Sequence, residues 1–225
     1  MYCTAQASRE DSVIFGQVAL LALAGLVVGE LAWRATRVLP PDPPAHPPTP
    51  LLAWATRLFT AGLFAIAGWR FADDPRLLFA LPYIVVLVII LVIDLEHRLI
   101  LDKVTFPAMG ATLLASALPV KLGPDFRSAV LGGLVALVIF ALLVAVAWRI
   151  HPDALGMGDL KLAVLIGLAS GFPAVLTALL AGFVAGGIIA FTLLVLRLKR
   201  MKDTMPYGPS LVLGALYALF LLPGS

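Results

Sequence analysis

Residues 77–93 read LLFALPYIVVLVIILVI, an uncharged run that ends directly at Asp94. A helix needs about 20 mostly apolar residues, within a range of about 17–25, to cross the hydrocarbon of a bilayer. The run therefore predicts a membrane-spanning helix with a carboxylate at its end. Over all 225 residues, 61% are hydrophobic and 13% are charged. A water-soluble fold of this size could not bury so much apolar surface, so we expect a membrane protein.

Charged residues divide the chain into eight apolar segments, which we interpret as about eight transmembrane helices. The uncharged run 162–196 is too long for one helix, and Ser170-Gly171-Phe172-Pro173 provides a turn within it. Without that turn, the alternative is seven spans. The predicted fold is an all-α polytopic membrane protein, with residues 1–225 forming a single integral membrane domain. The predicted spans are 13–33, 51–71, 78–95, 104–120, 128–148, 160–172, 174–196 and 207–223.

The distribution of lysine and arginine favours one orientation of these spans. With the N-terminus outside, eleven of the sixteen basic residues fall on one set of loops and helix ends, and five on the other. Basic residues collect on the cytoplasmic side, so both the N-terminus and the C-terminus are expected to lie outside. Residues 1–12 then form an external tail. Residues 38–50 form a proline-rich cytoplasmic tether between spans 1 and 2.

The composition also argues against several other interpretations. The formal net charge is +3, but no basic stripe with interleaved aromatic residues indicates nucleic acid, so we expect no nucleic-acid partner. Cys3 is the one cysteine, which excludes an internal disulfide and a cysteine-based zinc site. We expect no cofactor and no metal. The lipid bilayer is an expected partner, and the sequence leaves the oligomeric state open.

Two acidic residues stand where predicted spans meet the cytoplasmic side. Asp94 ends the third span, and Asp159 directly precedes the sixth. Ionisable groups at such depths are costly to bury and mark functional sites. Two carboxyl groups in one low-dielectric site share a proton, so that one can act as a base on water while the other polarises a peptide carbonyl. The pair predicts an aspartic protease.

Structural roles compete with the functional ones at these positions. Asp159 and Asp102 each stand where a helix begins and would serve as N-caps. Residues 96–98 (Glu-His-Arg) would form a solvated helix end. Two glycines precede Asp159 and favour function, because backbone without side chains lets a partner helix or a substrate approach closely.

These motifs resemble those of type IV prepilin peptidases, which are polytopic GxGD aspartyl proteases. Gly156-Met157-Gly158-Asp159, followed by Lys161, resembles the second catalytic motif, and residues 93–102 resemble the first. Pro206-Tyr207-Gly208-Pro209 is similar to a later segment, and residues 25–40 to the family's first segment. The resemblance implies catalytic roles for Asp94 and Asp159. It implies supporting or substrate-binding roles for Gly156, Gly158, Lys161, Glu96, Asp102, Pro206, Gly208 and Pro209.

The resemblance implies an endopeptidase in the inner (plasma) membrane of a prokaryotic cell. Its substrates would be prepilins or pseudopilins, cut at the cytoplasmic face to remove a short basic leader. Two residues depart from the family pattern: Leu101 replaces a proline in the first motif, and Glu30 lies in an altered first span. Bifunctional members carry paired CxxC motifs in the first cytoplasmic loop, associated with zinc and N-methylation. Here that loop is the proline-rich tether, so we expect no N-methyltransferase activity.

Three other functions would use the same residues. An intramembrane protease of the presenilin or signal-peptide-peptidase type would use both aspartates, but its first aspartate follows a tyrosine, and here Ile93 precedes Asp94. An ion-coupled transporter would use Asp94 and Asp159 as a proton or cation site, although no inverted repeat is visible in the sequence. A non-catalytic membrane assembly factor with degenerate motifs is the third alternative.

Overall fold

The computed structural model describes residues 2–40, 49–120, 122–150, 156–196 and 207–221, and these residues form eight α-helices and no strand. The predicted all-α fold is thereby confirmed. So is the break within the run 162–196, where Gly171 has a φ of 69°, a left-handed conformation that glycine adopts without strain. The helices are α1 (Tyr2–Val38), α2 (Pro50–Arg70), α3 (Leu77–His97), α4 (Asp102–Ala117), α5 (Phe126–Ile150), α6 (Met157–Ser170), α7 (Ala174–Val195) and α8 (Gly208–Leu221).

Among the described residues, five helices are long and apolar enough to cross a membrane: α1, from Ile14, and α2, α3, α5 and α7. The other three are shorter, and α6 and α8 have 14 residues each. A helix of that length measures about 21 Å at 1.5 Å per residue, which is less than the apolar thickness of a bilayer, about 30 Å. At least one end of each short helix is therefore expected at membrane depth.

The predicted external tail (1–12) and the predicted tether (38–50) can be compared with the structure. Helix α1 begins at Tyr2, so residues 2–12 of the predicted external tail are helical. Within the predicted tether, residues 41–48 lie outside the described residues.

The chain divides into two compact units, and the first comprises Met1–Val92. In this unit α1 packs closely on α2, because Gly25 and Gly29 face it. A Cβ atom on Gly29 would lie 2.8 Å from the Cα atom of Arg57. Small residues four apart let two helix backbones approach in this way. The Glu30 carboxylate then accepts a hydrogen bond from Arg34 Nε at 2.8 Å and pairs with Arg57 Nη2 at 2.6 Å. Glu30, which departs from the family pattern, therefore links α1 to α2.

The second unit comprises Ile93–Ser225, with the last turn of α3 and all of α4 to α8. Helix α6 is its centre: it contacts α4, α5, α7 and α8, and Leu162 and Ile166 are fully buried. The backbones of α5 and α6 approach closely at Gly132 and Gly167, where a Cβ atom on either residue would overlap the other. This packing fixes the N-terminus of α6, which carries Asp159.

Candidate active site

Asp94 lies in the last turn of α3 and is 4% exposed. Its Oδ2 atom is shielded from solvent and has no hydrogen-bond partner within the described parts of the chain. The helix ends shortly afterwards: Arg98 N donates to Asp94 O at 2.9 Å, and Arg98 itself has a φ of 53°. A buried carboxylate oxygen without a partner carries a large desolvation cost, so it is a candidate for a functional group.

Asp159 is the third residue of α6, three residues before the uncharged run that starts at Leu162. Gly156 is the N-cap, with extended backbone, and its N–H hydrogen-bonds to the Asp159 carboxylate. This is the reciprocal half of a capping box, so Asp159 does not occupy the N-cap position itself. The structural and functional interpretations of Asp159 are therefore compatible, because the cap holds the carboxylate in one place.

The two carboxylates are electrostatically coupled although 65 positions separate them in the sequence. Burial, and to a smaller extent the negative charge of Asp94, raise the pKa of Asp159 to about 6 against the lowering effect of the Gly156 hydrogen bond. Two carboxyl groups that lie close together in a poorly solvated site cannot both ionise easily, because their negative charges repel each other. Near pH 6 the pair can hold one proton between them, as an acid and base acting together require.

The first residue of α8, Gly208, contacts Asp94. A Cβ atom at Gly208 would lie 2.5 Å from Asp94 Oδ2 and 2.8 Å from its Cγ. Pro209 follows in the first turn, where its missing N–H removes no helical hydrogen bond, and Ser210 Oγ donates to Tyr207 O at 2.8 Å. The carboxylate therefore lies beside the first turn of α8, where the helix dipole favours negative charge. Pro206, also predicted to support the site, lies outside the described residues.

Asp102 and Lys161 pair with each other. Lys161 Nζ lies 2.6 Å from Asp102 Oδ1 and 5.4 Å from the centre of the Phe106 ring. Leu101 occupies the N-cap of α4 and Asp102 its first turn, so the aspartate side chain is directed to a neighbouring helix. Next to this pair, a Cβ atom on Gly158 would lie 2.9 Å from the Cβ of Ile100.

The sequence offered a solvated helix end for residues 96–98, beside a supporting role for Glu96, and in the structure Glu96 and His97 are half-buried. The Nε2 atom of His97 is shielded from solvent and has no hydrogen-bond partner among the residues described. His97 follows Asp94 by three residues, so both side chains lie on one face of α3. That spacing is the feature of the sequence that could have connected His97 with the site. No group of three or more His, Cys, Asp or Glu side chains in the described ranges is arranged to hold a metal ion.

Comparison with known proteins places these residues in context. Residues 81–191, which include both aspartates, match the type IV leader peptidase family. A relative from Legionella pneumophila, named prepilin leader peptidase/N-methyltransferase, is 32% identical over 165 residues, which cover 72% of this chain and 56% of the relative. A Bacillus subtilis (strain 168) protein of the same name is 26% identical over 167 residues, 73% of this chain and 64% of the relative. The chain spans about half the length of the curated relatives that it matches. No solved structure matches it.

Proposed function

The chain belongs to the type IV leader peptidase family, and from that premise we propose that it is a membrane-embedded aspartic endopeptidase in which Asp94 and Asp159 activate water. The observation that carries the proposal is the electrostatic coupling of these two carboxylates. The burial of Asp94 supports it further, as does the lack of a hydrogen-bond partner for its Oδ2 atom among the residues that the structure describes.

In the proposed reaction the pair starts with one proton. The ionised carboxylate takes a proton from a water whose oxygen attacks the carbonyl carbon, while the protonated carboxyl donates to the carbonyl oxygen. The product of this step is a tetrahedral diol. When the diol collapses, the C–N bond breaks, the leaving nitrogen takes the proton from the first carboxylate, and the second carboxylate recovers a proton from one hydroxyl. The pair thus returns to its starting state.

The proposed substrates are type IV prepilins or pseudopilins with a short basic leader ahead of an apolar helix. The names of the relatives and the family match support this substrate class. The five long apolar helices support a multi-pass protein, for which we propose the inner membrane, with the site at the cytoplasmic face. A substrate helix would lie among the spans while its leader stays in the aqueous region beside Asp94 and Asp159.

We propose that this chain does not methylate the trimmed product. The names of the relatives include an N-methyltransferase activity, and these relatives are longer than this chain. Its only cysteine is Cys3, so it contains no CxxC pair of the kind associated with that activity by resemblance.

The proposal can be tested by incubating the purified protein in detergent with a prepilin and measuring the masses of the products. Wild type should remove the leader, without an added methyl group when a methyl donor is present. Asp94→Asn and Asp159→Asn should each lower the cleavage rate by about a hundredfold or more, because each removes an acid–base group. Asp125→Asn, which alters an exposed aspartate, is the matched control.

The alternative functions give different results in the same experiment. Cuts within the apolar helix, instead of at the leader boundary, would indicate an intramembrane protease. Proton or cation flux through proteoliposomes without cleavage would indicate a transporter. Cleavage that persists in both Asp→Asn variants would exclude the catalytic pair.

A further inference from the structure

The ion pair between Asp102 and Lys161 joins the two segments of chain that carry the proposed catalytic carboxylates. Asp102 begins α4, eight residues after Asp94 and beyond the short connection that follows α3. Lys161 lies two residues after Asp159 in the first turns of α6. The distance of 2.6 Å between Nζ and Oδ1 therefore fixes one segment against the other.

A second contact lies between the same two segments. Gly158 packs on Ile100 so closely that a Cβ atom would lie 2.9 Å from the Cβ of Ile100. This contact limits how near the segments can come, whereas the ion pair resists their separation. Gly158, which makes the contact, and Lys161, which makes the ion pair, lie on either side of Asp159 in the sequence. Together the two interactions define the position of the Asp159 backbone.

Resting on the proposed aspartic mechanism, we propose that Asp102 and Lys161 are positioning residues, an ionic clamp that holds Asp94 and Asp159 at their working separation. Neither residue needs to touch the substrate. The side chains are 56% and 27% exposed, respectively, and ion pairs exposed to this degree contribute little to folding stability. The clamp therefore acts on the geometry of the site more than on the stability of the fold.

The clamp has a predictable effect on rate. A displacement of about 1 Å in a catalytic group can reduce a rate by about a hundredfold. Loss of either charge should therefore lower kcat by about tenfold or more while KM changes little. Because either substitution alone removes the ion pair, the second substitution should cause no further loss. The double variant should therefore be no slower than the slower single variant.

The test uses five variants and one control in the leader-cleavage assay. Asp102→Asn, Lys161→Met and their combination remove the charges, and methionine keeps an unbranched apolar side chain at position 161. Asp102→Glu and Lys161→Arg keep the charges and should retain most of the wild-type rate. Lys103→Met, an exposed lysine next to Asp102, is the control and should leave kcat unchanged. Additive losses, or a loss confined to KM, would overturn the clamp.

The pH dependence of kcat separates the clamp from direct electrostatics. If the carboxylates move apart, their coupling weakens, and the alkaline limb of the profile shifts to lower pH in both single variants. Direct charge effects would instead shift the limb down in Asp102→Asn, which removes a negative charge, and up in Lys161→Met, which removes a positive one. Shifts in opposite directions would therefore overturn the proposal.

A measurement that does not depend on activity keeps the clamp testable if the proposed function fails. Spin labels at Leu95→Cys and Met157→Cys, both exposed, report the separation of the α3 end and the α6 start in a Cys3→Ser background. Asp102→Asn and Lys161→Met should each broaden the distance distribution, and Lys103→Met should not. An unchanged distribution would overturn the clamp. Inactive wild type, or an active Asp94→Asn variant, would instead overturn the proposed function.

Discussion

Gly208 lies against Asp94 so closely that the Cβ atom of any other residue would stand 2.5 Å from the carboxylate oxygen Oδ2. That oxygen is the one without a hydrogen-bond partner among the described residues. The first turn of α8 therefore forms one wall of the candidate site, and glycine is required there because backbone and carboxylate share the space.

Gly208→Ala should lower the rate of leader cleavage by about a hundredfold, because the methyl group displaces the Asp94 carboxylate. The measurement is kcat in detergent, together with thermal unfolding to show that the variant is folded. Gly187→Ala in α7, whose added Cβ atom would meet nothing within 4 Å, is the control and should keep the wild-type rate. A Gly208→Ala variant as fast as wild type would show that the position of Asp94 does not limit the reaction.

The cleavage rate should have a bell-shaped dependence on pH whose two limbs bracket about pH 6, since burial and Asp94 raise the pKa of Asp159 to about 6. Below the acidic limb both carboxyls are protonated and no base is left. Above the alkaline limb both are ionised and no acid is left. Single-turnover rates over a range of pH test this expectation, and a rate that rises without a maximum up to alkaline pH would contradict it.

Asp159→Asn should stabilise the protein at alkaline pH. An unfolded Asp ionises near pH 3.9, whereas the folded-state pKa of Asp159 is about 6. Between these values the unfolded state binds fewer protons, so wild-type stability falls as pH rises through this window. The neutral amide removes that penalty, which is about 2 kcal/mol after allowance for partial solvation.

Thermal unfolding in detergent at two pH values tests this linkage. The difference between Asp159→Asn and wild type should be present at about pH 8 and absent below about pH 4. Asp125→Asn, at an exposed position, should show no such dependence. An equal gain at both pH values would assign the effect to packing instead of charge.

Gly167→Ala should destabilise the second unit, because its methyl group would overlap the backbone of Gly132 on α5. Overpacking of this kind reduces the free energy of unfolding by about 1–3 kcal/mol. Gly110→Ala in α4, where nothing lies within 4 Å of the added atom, should be neutral or slightly stabilising. Chemical or thermal denaturation compares the two, and equal stability would refute the close packing of α5 on α6.

Local patterns predicted the helices well, and they singled out Asp94 and Asp159 as candidate carboxylates. Uncharged runs located the helices, and Gly171 with Pro173 located the break between α6 and α7. The same patterns singled out Asp102 and Lys161 without indicating that they pair. They also predicted a solvated His97, whereas its Nε2 atom is shielded from solvent.

The sequence by itself determined the membrane character of this protein, the helices found in its described residues and the two helix ends that carry Asp94 and Asp159. These properties follow from the lengths of the uncharged runs. A helix must be long enough to match the apolar thickness of a bilayer, so run length indicates where helices lie in the sequence. Tertiary structure alone decided that Gly208 lies on Asp94 and that Lys161 meets Asp102. Such contacts depend on how helices pack, and glycines far apart in sequence bring the backbones of α5 and α6, and of α7 and α8, close together.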